Sequence, residues 1–125
     1  MGWIAIGLAA AAAWIAGGIW YGALGKLWLG ALGKTRAELP APTFPMVLSF
    51  VADLVLAFAL TGILGPEPGI ETALGMAALM WLGFVLTTVS VNNAFAGRSI
   101  MLTMIDAGHW LVALVAARIV IGLKG

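Results

Sequence analysis

The most informative residues of this chain are three ionisable side chains that lie inside long apolar stretches. Asp53 stands in the stretch that follows Pro45, and Asp106 and His109 stand in the last one. A charged side chain inside a bilayer costs roughly 2.5–3.5 kcal/mol on insertion scales, so each of them needs a reason to be there. Two carboxylates and an imidazole that lie close together can exchange a proton, bind a ligand or hold helices in register by hydrogen bonds.

Other polar and aromatic residues fall at the same level of the apolar stretches. Asp53 and Asp106 lie about 12 Å and 9 Å into their helices at 1.5 Å per residue. Because successive spans run in opposite directions, the polar ends of the first and third stretches reach the same half of the bilayer. We expect these stripes to face inward and to form one cluster. Its candidate members are Trp20, Tyr21, Asp53, Thr87, Asn92, Asn93, Asp106 and His109.

Three interpretations of this cluster are open from the sequence. It can be a hydrogen-bond network that fixes helix register, with bonds that average about 0.6 kcal/mol. It can be a binding or proton-relay site that opens toward the cytoplasm. It can also ligate a metal or pigment, because Asp106 and His109 share a helix face and Asp53 could be a third ligand.

The residue types limit the chemistry further. The chain has one histidine and no cysteine, so it could hold at most a single metal or pigment, and no cofactor is implied. No nucleophile stands at a supporting distance from a base, so we predict no catalytic residues and no enzymatic activity.

Transmembrane helices are the elements that must position these side chains. Of the 125 residues, 63% are hydrophobic and 9% are charged, whereas a soluble domain carries about 25% charged residues. This composition excludes a soluble enzyme, a nucleic-acid-binding protein and a disordered chain. A bilayer core of about 30 Å needs roughly 20 apolar residues of helix. We therefore predict an all-α, polytopic transmembrane four-helix bundle in one domain, with short loops and spans at about 2–25, 45–64, 72–91 and 100–123.

The connections predict the topology of the bundle. Gly-Ala-Leu-Gly-Lys occurs at 22–26 and again at 30–34, which predicts an interfacial amphipathic segment over about 26–38 with Trp28 at headgroup depth. The two prolines in Gly65–Gly69 predict a tight break. Four basic residues in the 26–44 and 92–99 connections place those connections in the cytoplasm and both termini on the periplasmic side of a bacterial inner membrane.

Small residues and tryptophans characterise the rest of the chain. A ladder of Ala5, Ala9, Ala13 and Gly17, together with Gly18 and Gly22, predicts helix contacts, either within the bundle or with another subunit. The six tryptophans are typical of interface anchors and lipid-facing bulk. Arg118 is predicted to snorkel to the outer interface, or else to form a salt bridge with Glu67 or Glu71.

Several short motifs in this order resemble those of the bacterial domain-of-unknown-function family 1761. They are Gly18-Ile19-Trp20-Tyr21, Gly25-Lys26-Leu27-Trp28, Gly33-Lys34-Thr35, Asn92-Asn93-Ala94-Phe95 and Ile105-Asp106-Ala107-Gly108-His109. The resemblance covers about residues 17–122. It implies a four-span membrane protein, supports Trp20, Tyr21, Asn93 and Asp106 as site candidates, and adds no reaction.

The sequence thus favours a non-enzymatic membrane protein that acts by lateral helix contacts. Its partners would be the lipid bilayer and either other membrane subunits, such as those of an energy-transducing complex, or copies of itself. The alternative is a small-solute or proton-coupled carrier or channel that uses the Asp and His cluster.

Overall fold

The computed structural model describes residues 2–64 and 69–124, and it is built of helices joined by short turns. In chain order these are α1 (Trp3–Leu32), a 3-10 turn (Arg36–Glu38), α2 (Thr43–Leu64), α3 (Ile70–Met80), a π-helical turn (Trp81–Leu86), α4 (Thr87–Phe95) and α5 (Ile100–Lys124). Apart from Gly69, the predicted break at 65–69 lies outside the described residues.

Within the described residues, four helical segments are long and apolar enough to cross a membrane: Trp3–Leu32, Thr43–Ile63, Ile70–Phe95 and Ile100–Leu123. The third comprises α3, the π-helical turn and α4. Large apolar side chains such as Phe44, Phe84 and Phe95 are exposed on the outside of the bundle, where lipid would solvate them. The chain is an integral, multi-pass membrane protein, and the predicted four-helix bundle is confirmed.

The pair formed by α1 and α5 is the centre of the bundle. The two helices run antiparallel, because Gly17 of α1 lies against His109 while the Ser99 hydroxyl, just before α5, donates to the Ala31 carbonyl at 3.4 Å. On one side, α2 packs on α1, where Trp3 and Phe58 stack with ring centroids 5.9 Å apart. The third span packs on α5. This order decides which polar side chains can meet.

The alanine ladder of the first span is used inside the bundle. Ala5, Ala9, Ala13 and Gly17 are buried, and Ala9 and Ala13 belong to one core with Ala113 and Ala117 of α5. Small side chains at these positions let the two helices approach closely. By contrast, a Cβ added at Gly18 or at Gly22 would have no atom within 4 Å.

The predicted interfacial segment does not begin a new element after Gly25. Instead, α1 continues to Leu32 and ends at Gly33, whose φ of 75° suits a left-handed cap. At 1.5 Å per residue α1 is about 45 Å long. The Trp28 indole N–H donates to Asp106 Oδ1 at 3.2 Å, so this tryptophan also connects α1 to α5, and its depth in the bilayer stays a prediction.

The 3-10 turn in the following connection is held by one carboxylate. Glu38 Oε1 accepts the backbone N–H of Thr35 at 2.9 Å and its hydroxyl at 3.0 Å. These bonds, the backbone one first, hold the pKa of Glu38 below its ordinary value. Both favour the ionised carboxylate, so the turn is stabilised by charge on Glu38.

Arg118 does not snorkel, and that prediction is wrong. Its side chain is 1% exposed, about 9 Å of helix before Lys124, and on the same helical face as the core residues Leu114 and Ile121. Its Nε and Nη1 have no hydrogen-bond partner among the residues that the structure describes. Glu71 is exposed at the start of α3, and Glu67 is outside the described residues.

Candidate functional site

A cavity of about 230 Å³ lies where α1, α2 and α5 meet, and Asp53 forms part of its wall. Asp53 is 1% exposed, and its Oδ1 has no hydrogen-bond partner in the described part of the chain. Pro45 and Met46 line the same cavity and are exposed in the first turn of α2. The cavity therefore runs from the side of the 26–44 connection to a buried carboxylate, over about 12 Å of helix.

Trp14 and Ser49 form the wall between α1 and α2. The Trp14 indole N–H lies 3.1 Å from the Met46 carbonyl and 3.0 Å from Ser49 Oγ. The Ser49 hydroxyl itself donates to the Met46 carbonyl at 2.8 Å. Both polar groups are thus satisfied within the wall, whereas Oδ1 of Asp53, one helical turn after Ser49, has no donor in the part of the chain that the structure describes.

His109 closes the cavity on the α5 side. A Cβ added at Gly17 would lie 2.7 Å from its Nε2, so only glycine lets the imidazole lie directly against α1. The ring contacts Tyr21, with centroids 5.1 Å apart, and Trp110, with centroids 4.6 Å apart. The imidazole and Asp53 face the same space from two helices.

Tyr21 connects this cavity to Asp106. Its ring lines the cavity, and its hydroxyl donates to Asp106 Oδ1 at 2.6 Å. Trp28 donates to the same oxygen at 3.2 Å. Asp106 therefore lies behind Tyr21 with two donors, and the two carboxylates of the predicted cluster have different environments.

The turn of α5 around Asp106 is fixed from both sides by indole groups. Trp20 of α1 donates to the Ile105 carbonyl at 2.9 Å, and Trp81 of the π-helical turn donates to the Ala107 carbonyl at 2.7 Å. A Cβ added at Gly108 would lie 2.7 Å from the Trp20 ring. Trp20 thus lies beside the cluster and binds the backbone of α5 next to Asp106, not the Asp106 side chain.

Three predicted members of the cluster lie elsewhere. Thr87 and Asn92 are exposed, and the Thr87 hydroxyl donates to the Gly83 carbonyl of its own helix. Asn93 is buried, but its amide donates to Thr103 Oγ1 at 3.0 Å. The expectation that the third span turns its polar stripe toward Asp106 is wrong, because that span packs on α5 alone at this level and Trp81 occupies the contact.

The metal alternative has no support in the described residues. No group of three or more potential metal-ligating side chains is found there, and Asp106 uses Oδ1 to accept two hydrogen bonds. What the geometry offers instead is a buried carboxylate and an imidazole on one cavity. Such a pair can take up or release a proton, or bind a ligand that carries N–H or O–H donors.

Several tryptophans contribute to the site in a way that the sequence analysis missed. Trp14, Trp20, Trp28 and Trp81 all donate hydrogen bonds within the chain, so they are not simply lipid-facing bulk. A usable signal existed, since Trp14, Tyr21 and Trp28 recur every seven residues on one face of α1. Ser49 was visible as one turn from Asp53 on a polar stripe.

Comparison with known proteins gives one match. Residues 4–122 match the model of a family described as protein of unknown function (DUF1761). No curated protein and no solved structure matches the chain.

Proposed function

The chain belongs to DUF1761, a family of proteins of unknown function, and from the geometry of its site we propose that it is a carrier or channel that conducts protons and binds a small solute. The observation that carries this proposal is Asp53, whose buried Oδ1 has no hydrogen-bond partner among the described residues and which lines a cavity that reaches the first turn of α2. A residue kept only to fix helix register would have a partner. A residue that binds a proton or a ligand does not need a hydrogen-bond partner within the protein.

His109 and Tyr21 give the proposed site a second group and a fixed shape. His109 shares the cavity with Asp53, and an imidazole can bind and release a proton. Tyr21 is fixed by Asp106, which in turn is fixed by Trp28. In this proposal Asp53 and His109 bind the proton or solute, and Asp106 positions Tyr21. The protein performs no covalent chemistry.

Proton movement into reconstituted vesicles tests the proposal. Vesicles loaded with a pH-sensitive dye are given an inside-negative potassium diffusion potential, and the initial rate of acidification is measured. We expect the wild-type protein to acidify the lumen and Asp53→Leu to abolish that rate, while Val51→Leu, on the exposed face of α2, keeps it. Equal rates for wild type, Asp53→Leu and empty vesicles would contradict the proposal.

Lateral assembly is a second candidate, and one observation favours it. The ladder that suggested it is used internally, but Gly22 is exposed with open space around it, as a helix-contact residue for another chain would be. Native mass measurement in mild detergent tests this candidate. We expect Gly22→Leu to release a second copy or another subunit from the protein. Gly62→Leu is the control, because Gly62 on α2 also has open space around it, and this variant should keep the partner bound. Identical masses for the two variants would contradict lateral assembly.

The orientation is proposed from the basic residues of the connections. They place the 26–44 connection, and hence the cavity mouth, on the cytoplasmic side of a bacterial inner membrane. Because the chain contains no cysteine, a single introduced cysteine shows on which side of the membrane its position lies, with no background labelling of the protein. A membrane-impermeant maleimide should label Gly2→Cys on intact cells and Ala37→Cys only after lysis. The reverse pattern would show the opposite orientation.

A further inference from the structure

The lining of the Asp53 cavity specifies the chemical class of a ligand more narrowly than the proposed function does. Asp53 is the acidic residue of the lining, and no lysine or arginine is found among the lining residues that the structure describes. A carboxylate that faces a ligand without a competing basic side chain favours a cation. An anionic solute would meet the charge of Asp53 with nothing to offset it.

Three aromatic rings complete that lining. They belong to Trp14, Tyr21 and His109. The hydroxyl of Tyr21 is used by Asp106, and the indole N–H of Trp14 is used by Met46 and Ser49. With their polar ends engaged elsewhere, Trp14 and Tyr21 can offer a ligand only ring surface. Ring surface attracts organic cations, because the negative face of the ring interacts with the positive charge.

The size of the cavity limits the ligand. A volume of about 230 Å³ corresponds to roughly eight water molecules at about 30 Å³ each. An ammonium group with a few carbon atoms fits this space. A bulky, multi-ring cation does not.

We propose that the Asp53 cavity binds small alkylammonium ions, with Asp53 accepting the N–H groups or balancing the charge, and with the Trp14 and Tyr21 rings packed against the alkyl groups. This proposal rests on the proposed function and names the ligand class of the same site. It requires no other residue to change its protonation state.

Protection of an introduced cysteine measures this binding directly. Gly18 lines the cavity and has open space for a side chain, so Gly18→Cys gives one thiol in a chain that otherwise has none. The rate of its reaction with a neutral maleimide is measured with methylammonium, tetramethylammonium, sodium or tert-butanol present. By mass action, an ion at about ten times its Kd should slow the reaction about tenfold.

Variants in the Gly18→Cys background identify the groups that bind. Asp53→Leu should weaken protection about tenfold or more, since a hydrogen bond to a charged group is worth about 1.5–3 kcal/mol. Tyr21→Phe and Tyr21→Leu both lose the bond to Asp106 and differ only in the ring. Protection should therefore survive in the first and fall about two- to thirtyfold in the second.

The outcomes separate this inference from the proposed function. Protection by both ammonium ions, but not by sodium or tert-butanol, supports the inference. Equal protection by sodium, or none by any compound, overturns it. If proton movement still depends on Asp53 in that case, the proposed function stands and only the ligand class is wrong. If neither protection nor proton movement occurs, both are wrong.

Discussion

Replacing Asp53 and Asp106 by leucine should change the free energy of unfolding in opposite directions. Asp53 Oδ1 is buried and has no partner among residues 2–64 and 69–124, and a buried acceptor without a hydrogen bond costs about 1–3 kcal/mol. Leucine removes that cost, because its two methyl groups replace the two carboxylate oxygens, and the cavity has room for their slightly larger volume. We therefore expect Asp53→Leu to raise the free energy of unfolding by about 1–3 kcal/mol.

The same substitution at Asp106 removes two hydrogen bonds. Tyr21 donates at 2.6 Å and Trp28 at 3.2 Å. Hydrogen bonds between membrane helices average about 0.6 kcal/mol and reach about 1.7 kcal/mol, so two of them give a loss of about 1–3 kcal/mol. The two variants should then differ by about 2–6 kcal/mol.

Unfolding in mixed micelles by increasing the fraction of dodecyl sulfate measures both free energies, with tryptophan fluorescence as the signal. Val51→Leu is the control, because it adds a leucine to α2 on an exposed position. If Asp53→Leu lowers the stability as much as Asp106→Leu does, then Asp53 has a structural partner. In that case Asp53 fixes helix register, and the interpretation of the cavity as a binding site is refuted.

Two further predictions concern Gly17 and Glu38. Gly17→Ala places a Cβ 2.7 Å from His109 Nε2, so overpacking by about 1–3 kcal/mol should outweigh a gain in helix propensity of about 1 kcal/mol. The melting temperature should fall, whereas Gly62→Ala, in open space, should raise it; a rise in both would contradict the close contact. Hydrogen bonds from Thr35 lower the folded-state pKa of Glu38. The ionised carboxylate therefore stabilises the turn fully at pH values above the ordinary carboxyl pKa, and this stabilisation is lost as the pH falls through the lowered folded-state pKa. In Thr35→Ala the backbone bond remains and the hydroxyl is lost, so the NMR-detected pKa of Glu38 should rise part of the way; an unchanged pKa would exclude the hydroxyl as a cause.

The four spans could be predicted from the sequence because their signal is local. Each has a run of apolar residues longer than the bilayer core requires, and this needs no knowledge of neighbours. The positions of Asp53 and Asp106 along their helices followed from the same counting, since distance along a helix depends only on the helical rise.

The rotation of each helix could not be predicted, because it depends on which helices are neighbours. The packing of α2 against both α1 and α5 puts Asp53 on the cavity, whereas Asp106 pairs with Tyr21 behind it. The packing of the third span on α5 leaves Thr87 on the exposed face. Likewise, the burial of Arg118 could not be read from its distance to the end of α5.

Reaction with a hydrophobic carbodiimide tests the central claim most directly. Such a reagent modifies protonated carboxyl groups that it can reach within a membrane, and mass spectrometry of the digested protein identifies which carboxyl has reacted. The claim is that Asp53 lines the cavity and has a carboxylate oxygen without a partner among the described residues, whereas Asp106 is held by two donors. We predict modification at Asp53 and little at Asp106, with Gly18→Leu, which narrows the cavity, slowing the reaction. Modification of Asp106 alone, or of neither carboxyl group, would contradict the account.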